Sequence, residues 1–430
     1  MEFSKVSNVF AKKSGIFLLR GWVKRKREGK ENAFVLFRDS SGEIQCVFDK
    51  AKLSKKELED FSKTQIEASV FIEGEAHEDE RSPNGVELKV TKFTVIDFGQ
   101  EFPIQKDLSE DFLLDVRHLW LRSTKMTNAL KAKSILFKAF RDFMQKEGYN
   151  EVHCPSFVSG AVEGGSTLFE VPYFGKKVYL TQSSQFYLEA FITSLEKVYT
   201  IAPSFRAEPS RTRRHVTEFQ HAEWETAWEG LPELLDFHER MLKFVCNEMV
   251  NNASDLMKYF GRDPRVIETV VNSKFERFKY DEVFTIAQKK FPELKWGDDL
   301  GEKEEREITK DYSVPIMVTH YPATLKPFYH RPDPTNPKVV LCCDVLAPEG
   351  YGEIVGSGER CKSMDELIAR MKAENLKPEA YGWYMDLRKY GSVPHSGAGL
   401  GLERLLTWIM GMEHIRDVIA FPRTMNRFYP

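Results

Sequence analysis

Several things that would place this chain of 430 residues at once are scarce or missing. Its six cysteines, Cys46, Cys154, Cys246, Cys342, Cys343 and Cys361, include no CxxC pair. That spacing argues against a zinc site or a disulfide scaffold and fits a reducing cytoplasm. No apolar run is long enough to span a bilayer, so no membrane role is expected. Met1 to Lys13 lack the basic-then-apolar order of a signal peptide, which keeps the expected location cytoplasmic. Net charge is only −3, so nucleic-acid binding must rest on local basic patches rather than on a global field. No repeat or low-complexity tract is visible. What remains is ordinary globular material, 42% hydrophobic and 30% charged, long enough for two or more domains.

The chemistry is concentrated between Phe205 and Phe219. Val198 to Ile201 reads as a strand leading in, and Phe219 to Trp228 reads as a second strand, with His221, Glu223 and Glu225 between large apolar residues. The connection carries four arginines (Arg206, Arg211, Arg213, Arg214), His215 and two acids, Glu208 and Glu218. A solvated basic loop can look like this. Charge held rigidly between two strands is better suited to a polyanion, because guanidinium forks grip phosphate oxygens in pairs.

Along the rest of the chain, residues 15–98 read as five short strands: Gly15 to Val23, Phe34 to Phe37, Ile44 to Phe48, Ser69 to Glu73 and Val86 to Ile96. That number of strands in so short a span predicts an OB-fold barrel. Lys24 to Lys30 reads as a basic loop beside strand aromatics, as on a single-stranded nucleic-acid platform. After a linker over 101–125, a long helix is expected from about Met126 to Glu147, then a strand from Glu151 to Pro155. Residues 161–195 carry Glu163 beside Gly164 and Gly165, and Ser183 and Gln185 in the polar run Thr181 to Gln185, which suits either turns or a small polar ligand. Residues 230–310 read as a mainly helical insertion without evident chemistry. Strands return at Ile316 to Thr319, Val339 to Val345 and Glu353 to Val355, with Asp344 and Glu353 bracketing a glycine turn. Two such acids can hold magnesium or can simply be surface charge. Finally, Gly397 to Gly401 leads into Arg404 and an apolar helix from Leu405 to Met410. The glycines resemble a dinucleotide fingerprint, but no βαβ unit accompanies them.

Phe205-Arg206-Ala207-Glu208, the loop to Arg214-His215, and Phe219 resemble motif 2 of the class II aminoacyl-tRNA synthetases. The long helix and proline-ended strand resemble motif 1, and Gly397 to Arg404 resembles motif 3. With Asp386 to His395 before it and Arg416 to Thr424 after it, the final block resembles the archaeal-type asparaginyl branch. The resemblance implies an α+β protein. Residues 1–100 would be an OB-fold anticodon-binding domain, 101–125 a hinge, and 126–430 an antiparallel catalytic sheet flanked by helices. It further implies a homodimer whose partners are tRNA(Asn), L-asparagine and ATP, with Mg2+.

Carried over by position, the family's pattern implies that Arg206 binds the α-phosphate and that Phe219 and Arg404 sandwich the adenine. Glu208 would sit at the adenine edge, Arg214 and His215 at the terminal phosphates, and Gly401 at the nucleotide. Glu353, with Asp344, would hold magnesium. Glu163 and Gln185 would surround the α-ammonium, Ser183 would belong to the same amino-acid pocket, and Glu223 and Arg360 would meet the side-chain amide. Phe34 and Gln45 would hold the middle anticodon base. The aspartyl relatives place a lysine where this chain has Leu188, which favours asparagine. Departures are Gly356-Ser357-Gly358-Glu359-Arg360, where the family reads Gly-Gly-Ser-Gln-Arg, and Gln220 and Ala398 in place of aromatics. An aspartyl or non-discriminating synthetase, a paralogue making free asparagine, and a non-catalytic tRNA-binding relative are the alternatives. Leu188, the barrel, and the presence of Arg206 with Arg404 speak against them in turn.

Overall fold

The computed structural model describes residues 2–105, 108–160, 167–210 and 212–430. Its chain divides into two units, Met1–Leu113 and Leu114–Pro430. In the first, strands Gly15–Glu28, Asn32–Arg38, Glu43–Asp49, Ser69–Glu78 and Val86–Asp97 form the barrel. They run first, second, third, fifth, fourth, and the first strand also pairs with the fourth, which closes the sheet on itself. Val23, Val35, Phe37, Ile44, Cys46 and Ile72 alternate inward and are fully buried. The connecting helix Lys55–Lys63 starts at a Ser54/Glu57 capping box. Its Phe61 packs against Phe48 and Phe93.

The expected basic loop after Val23 is instead more strand, as far as Glu28. The reason is that the alternation continues past a bulge between Val23 and Arg25. Arg25 and Arg27 stay outside, while Lys26 turns back and donates to the Phe61, Ser62 and Thr64 carbonyls at that helix's end.

In the second unit, the described residues form an eight-stranded mixed sheet. Its order is Glu276–Lys279, Ile316–Thr319, Cys342–Ala347, Gly352–Glu359, His395–Gly401, Glu218–Ala227, Lys197–Phe205, Asn150–Glu151. Only the two outermost pairs are parallel. Helix Thr124–Lys146 is capped by Ser123 and buries Leu136, Phe140 and Phe143 against the sheet. Helix Leu231–Tyr259 contributes Phe237, Met241, Val245 and Met249 to the same core. Each such buried side chain stabilises the fold by about 1.5–3 kcal/mol. The first helix of the expected insertion is thus part of the core.

Three sequence expectations change here. The strand after the long helix is short: its pairing ends with the Val152 amide, which donates to the Tyr199 carbonyl at 2.8 Å, ahead of Pro155. The stretch expected as Val339 to Val345 is broken at Leu341 into Asn336–Val340, which pairs with Pro332–Asp333, and the sheet strand Cys342–Ala347. The glycine run, expected only to lead into the helix, is a central strand, His395–Gly401. Its glycines leave room for neighbours. A Cβ at Gly397 would collide with the Glu225 carboxylate, and one at Gly399 with the His221 ring.

Candidate active site

A cavity of about 300 Å³ opens on the face of the large sheet. It is lined by Ser183, Gln185, Arg206, Glu208, Arg214, His215, Phe219, Glu223, Asp344, Glu353, Arg360, Gly401 and Arg404. Every described residue that the sequence offers for this unit's site is therefore brought to one place. Glu163 lies outside the described residues.

One end of the cavity is cationic. Arg206 leaves the strand end with its guanidinium 5.5 Å from the centre of the Phe219 ring, and one of its nitrogens lies 4.0 Å from Glu208. Arg404, two residues into the helix Leu402–Ile409, donates to a Glu353 carboxylate oxygen at 3.1 Å. Arg214 pairs with Glu305 of the helix Glu302–Thr309. His215 touches the Thr212 hydroxyl and lies 3.7 Å from Glu208. Burial, with Arg404 and Arg214 nearby, lowers this imidazole to about 4, so it is uncharged at neutral pH.

Two carboxylates converge above Gly356. A Cβ there would stand 3.1 Å from Glu353 Oε1 and 3.8 Å from Asp344 Oδ1. Burial lifts Asp344 to about 6 despite Lys326, whose ammonium donates to it at 2.5 Å. Burial acts on Glu353 too, but Arg404, Lys326, Arg214 and Arg206 hold it at about 2. Behind Arg214, burial pushes the Glu305 carboxyl upward while that arginine's charge favours its ionised form.

The opposite end is organised by acids on the central strands. Glu223 accepts from the Ser183 hydroxyl and, at 2.8 Å, from the Ser184 amide. Arg360 does not pair with Glu223. It donates through Nε and Nη2, both at 3.0 Å, to the two oxygens of Glu225. Glu225 is fully buried and is a residue of this end that the sequence left unassigned. Glu223 and Glu225 lie two apart on one strand and so share a face; Gly397 opens the path that lets Arg360 reach the second.

Deeper still, Glu189 accepts from Gln185, Tyr384 and Arg388 at 3.0, 2.8 and 2.5 Å. His395 Nε2 lies 3.0 Å from the same carboxylate. Glu189, Glu225 and His395 could geometrically hold a metal, but Arg388 and Arg360 already neutralise the two acids. Burial pushes Glu189 up, yet Arg388 and His395 outweigh it and hold the carboxyl well below the usual range. The shifted Ser357 is also accounted for. It donates to the Cys343 carbonyl at 2.7 Å and lies 2.8 Å from His238, so its hydroxyl is committed inside the fold. Glu359 points to Arg331 rather than toward Arg360's partner.

On the barrel, Phe34 lies opposite Arg27 and Val47, and Leu36 opposite Arg25 and Gln45. These side chains share the outer face with Lys89, which lies opposite Val47 on the next strand. The Arg27 guanidinium sits 5.4 Å from the Phe34 ring centre, and Gln45 donates to Ser82 at 3.2 Å and to Glu87 at 3.3 Å. An aromatic ring framed by arginines and an amide is equipped to stack on and hydrogen-bond an unpaired base.

Comparison with known proteins covers both units. The family described as tRNA synthetases class II (D, K and N) matches residues 109–425, and an OB-fold nucleic acid binding domain matches residues 17–96. The chain is 52% identical over 412 residues to an asparagine–tRNA ligase of Thermoplasma acidophilum, covering 96% of both chains. It is 46% identical over 414 residues to that of Thermococcus kodakarensis, covering 96% of this chain and 95% of the relative. The asparaginyl-tRNA synthetase of Pyrococcus horikoshii, solved with asparaginyl-adenylate, superposes with a TM-score of 0.96 at 42% identity over the whole of both chains.

Proposed function

The chain belongs to the asparaginyl branch of the class II aminoacyl-tRNA synthetases, and on that premise we propose how its residues divide the work. The enzyme joins L-asparagine to tRNA(Asn) through an adenylate made from ATP. In the first step the asparagine carboxylate oxygen attacks the α-phosphorus in line. A carboxyl–phosphorus bond forms, the bond to the bridging oxygen breaks, and pyrophosphate leaves with the electron pair. The attacking group is already ionised, so no general base is required. Arg206 stabilises charge developing at the α-phosphate, while Phe219 and Arg404 face the adenine. Arg214 and the uncharged His215 donate to the terminal phosphates. A terminal ribose hydroxyl of the tRNA then attacks the activated carbonyl, and AMP leaves.

The observation that carries the choice of amino acid is the buried Arg360–Glu225 pair. An amide presents an acceptor and two donors, and this pair presents a donor and an acceptor side by side. Because Glu225 neutralises Arg360, an aspartate carboxylate meets no uncommitted cation there, and Leu188 supplies none. Ser183, Gln185 and Glu163 hold the α-ammonium, with Glu223 adding its negative charge. ATP–pyrophosphate exchange without tRNA tests this: exchange is expected with asparagine and not with aspartate. Comparable exchange with aspartate would remove Arg360–Glu225 as the selecting pair.

Magnesium fits Glu353 and Asp344: both offer hard oxygen donors, and Asp344 Oδ1 is buried with no hydrogen-bond partner among the described residues. Bound there it would neutralise charge on the phosphates. The barrel face of Phe34, Gln45, Arg25 and Arg27 reads the anticodon. Phe34→Ala is expected to lower aminoacylation efficiency by about 10- to 100-fold, the value of one lost base stack, while leaving pyrophosphate exchange unchanged. Equal loss in both assays would contradict that division. We place the enzyme in the cytoplasm as a homodimer. Its six cysteines are all free thiols, and helix Thr124–Lys146 with the exposed edge strand Asn150–Glu151 supplies the pairing surface. Among the described residues no helix is long and apolar enough to cross a membrane.

A further inference from the structure

We infer that Glu305 is a positioning residue for this reaction: it aims Arg214 at the terminal phosphates and ties it to the strand carrying Glu353. The inference rests on the reading of Arg214 as a phosphate ligand. Glu305 comes from the helix Glu302–Thr309, in the stretch where the sequence shows no chemistry, 91 residues beyond Arg214. It is buried behind the arginine, its side chain 9% exposed. One carboxylate oxygen, Oε2, accepts from Arg214 Nη1 and also, at 3.0 Å, from the backbone amide of Glu353. Glu302, one turn earlier, places an oxygen 3.9 Å from Arg214 Nε.

The backbone around the pair is shaped to admit it. Gly352 has φ +73°, and a Cβ there would run into both Arg214 Nη1 and Glu305 Oε2. A side chain at that position would therefore push the two apart as well as strain the turn. The result is one rigid connection linking the arginine of the basic loop, the helix, and the strand whose Glu353 engages Arg404. Arginine on a loop samples many rotamers, and ordering it on ligand arrival would weaken ATP binding. A buried partner orders it beforehand. The carboxylate is the right partner because it uses one edge of the guanidinium fork and leaves the rest for phosphate.

The test compares Glu305→Gln, Arg214→Ala and the double variant in pyrophosphate exchange, with KM for ATP and for asparagine measured separately. Glu305→Gln retains an oxygen for the Glu353 amide but not the charge. It is expected to raise KM for ATP about tenfold, within the range seen when a supporting residue is lost, and to leave KM for asparagine within about twofold. Arg214→Ala is expected to raise KM for ATP at least as much, and the double variant no further, since both act through one group. If Arg214→Ala leaves KM for ATP unchanged, the reading of Arg214 fails and the inference with it. If Arg214→Ala raises it and Glu305→Gln does not, the inference alone fails. Multiplying effects in the double variant would also overturn it, by showing that Glu305 acts other than through Arg214. Should the glutamine variant not fold, Glu305→Asp keeps the charge and shortens the reach. It should raise the same KM by a smaller factor, and an unchanged KM would overturn the inference.

Discussion

Arg206→Ala will lower asparagine-dependent pyrophosphate exchange by about 10³-fold or more, the range in which a phosphate-directed arginine acts in phosphoryl transfer. That corresponds to about 4 kcal/mol of transition-state stabilisation. The side chain is placed for it. Its own backbone amide is fixed by a 3.0 Å bond to the Thr217 carbonyl, and its guanidinium stands over Phe219, beside the Glu208 carboxylate. Charge grows on the α-phosphate oxygens as the carboxylate closes and pyrophosphate departs, so a cation fixed at that spot gains most in the transition state. The loss should fall mainly on kcat. Arg206→Lys should recover only part of it, since an ammonium cannot reproduce the planar fork. The side chain is a quarter exposed, so the melting temperature should move little. Exchange within tenfold of the parent enzyme would sink the role given to Arg206.

How legible that site was depended on whether a residue's neighbours in space are also its neighbours in sequence. Arg206, Glu208, Arg214, His215 and Phe219 fall within one strand–loop–strand unit, and the local pattern alone places them together. The barrel was legible for a similar reason: its strands alternate apolar and polar residues, and only the bulge after Val23 hid that the basic segment stays in the sheet. What the pattern could not supply was the choice between Glu223 and Glu225, which share a face. That choice is made by Arg360, which follows the strand Gly352–Glu359, itself separated from theirs by the strand containing Gly397 and Gly399. With those glycines read only as a lead into the helix, the gap across which Arg360 reaches stays hidden. Glu305 was invisible on the same grounds, because nothing in a charge-rich helix marks the one acid that faces inward. Its burial, against the exposure of Lys303 and Arg306 beside it, exists only once the helix is docked.

Glu189→Gln should be among the most destabilising single substitutions in this unit, lowering stability by about 3–5 kcal/mol. Glu189 is fully buried, and its partner Arg388 has a side chain only 1% exposed. Removing the negative charge leaves a guanidinium with no counter-ion in the interior, and the amide's NH2 would face the Arg388 and Tyr384 donors that now meet an acceptor. The sign of the pH dependence follows from the depressed carboxyl. Its stabilisation is complete above the unfolded pKa of about 4.3 and is lost only as pH falls through the lower folded value. The deficit of the variant should therefore be constant from neutral pH down to about 5 and shrink in more acid solution. Thermal unfolding reads it directly, as a fall in melting temperature of roughly 5–10 °C. The control is a second change on the other side of the pair. Glu189→Gln with Arg388→Met removes the stranded charge, so it should be more stable than Glu189→Gln alone if the unpaired guanidinium is the cause. A double variant that is less stable would assign the cost instead to the Arg388 bond to the Cys361 carbonyl, at 2.9 Å. Because Glu189 also accepts from Gln185, the surviving folded fraction of the single variant should bind asparagine more weakly while its KM for ATP holds. The buried pair would then be what keeps the amino-acid end of the cavity in shape.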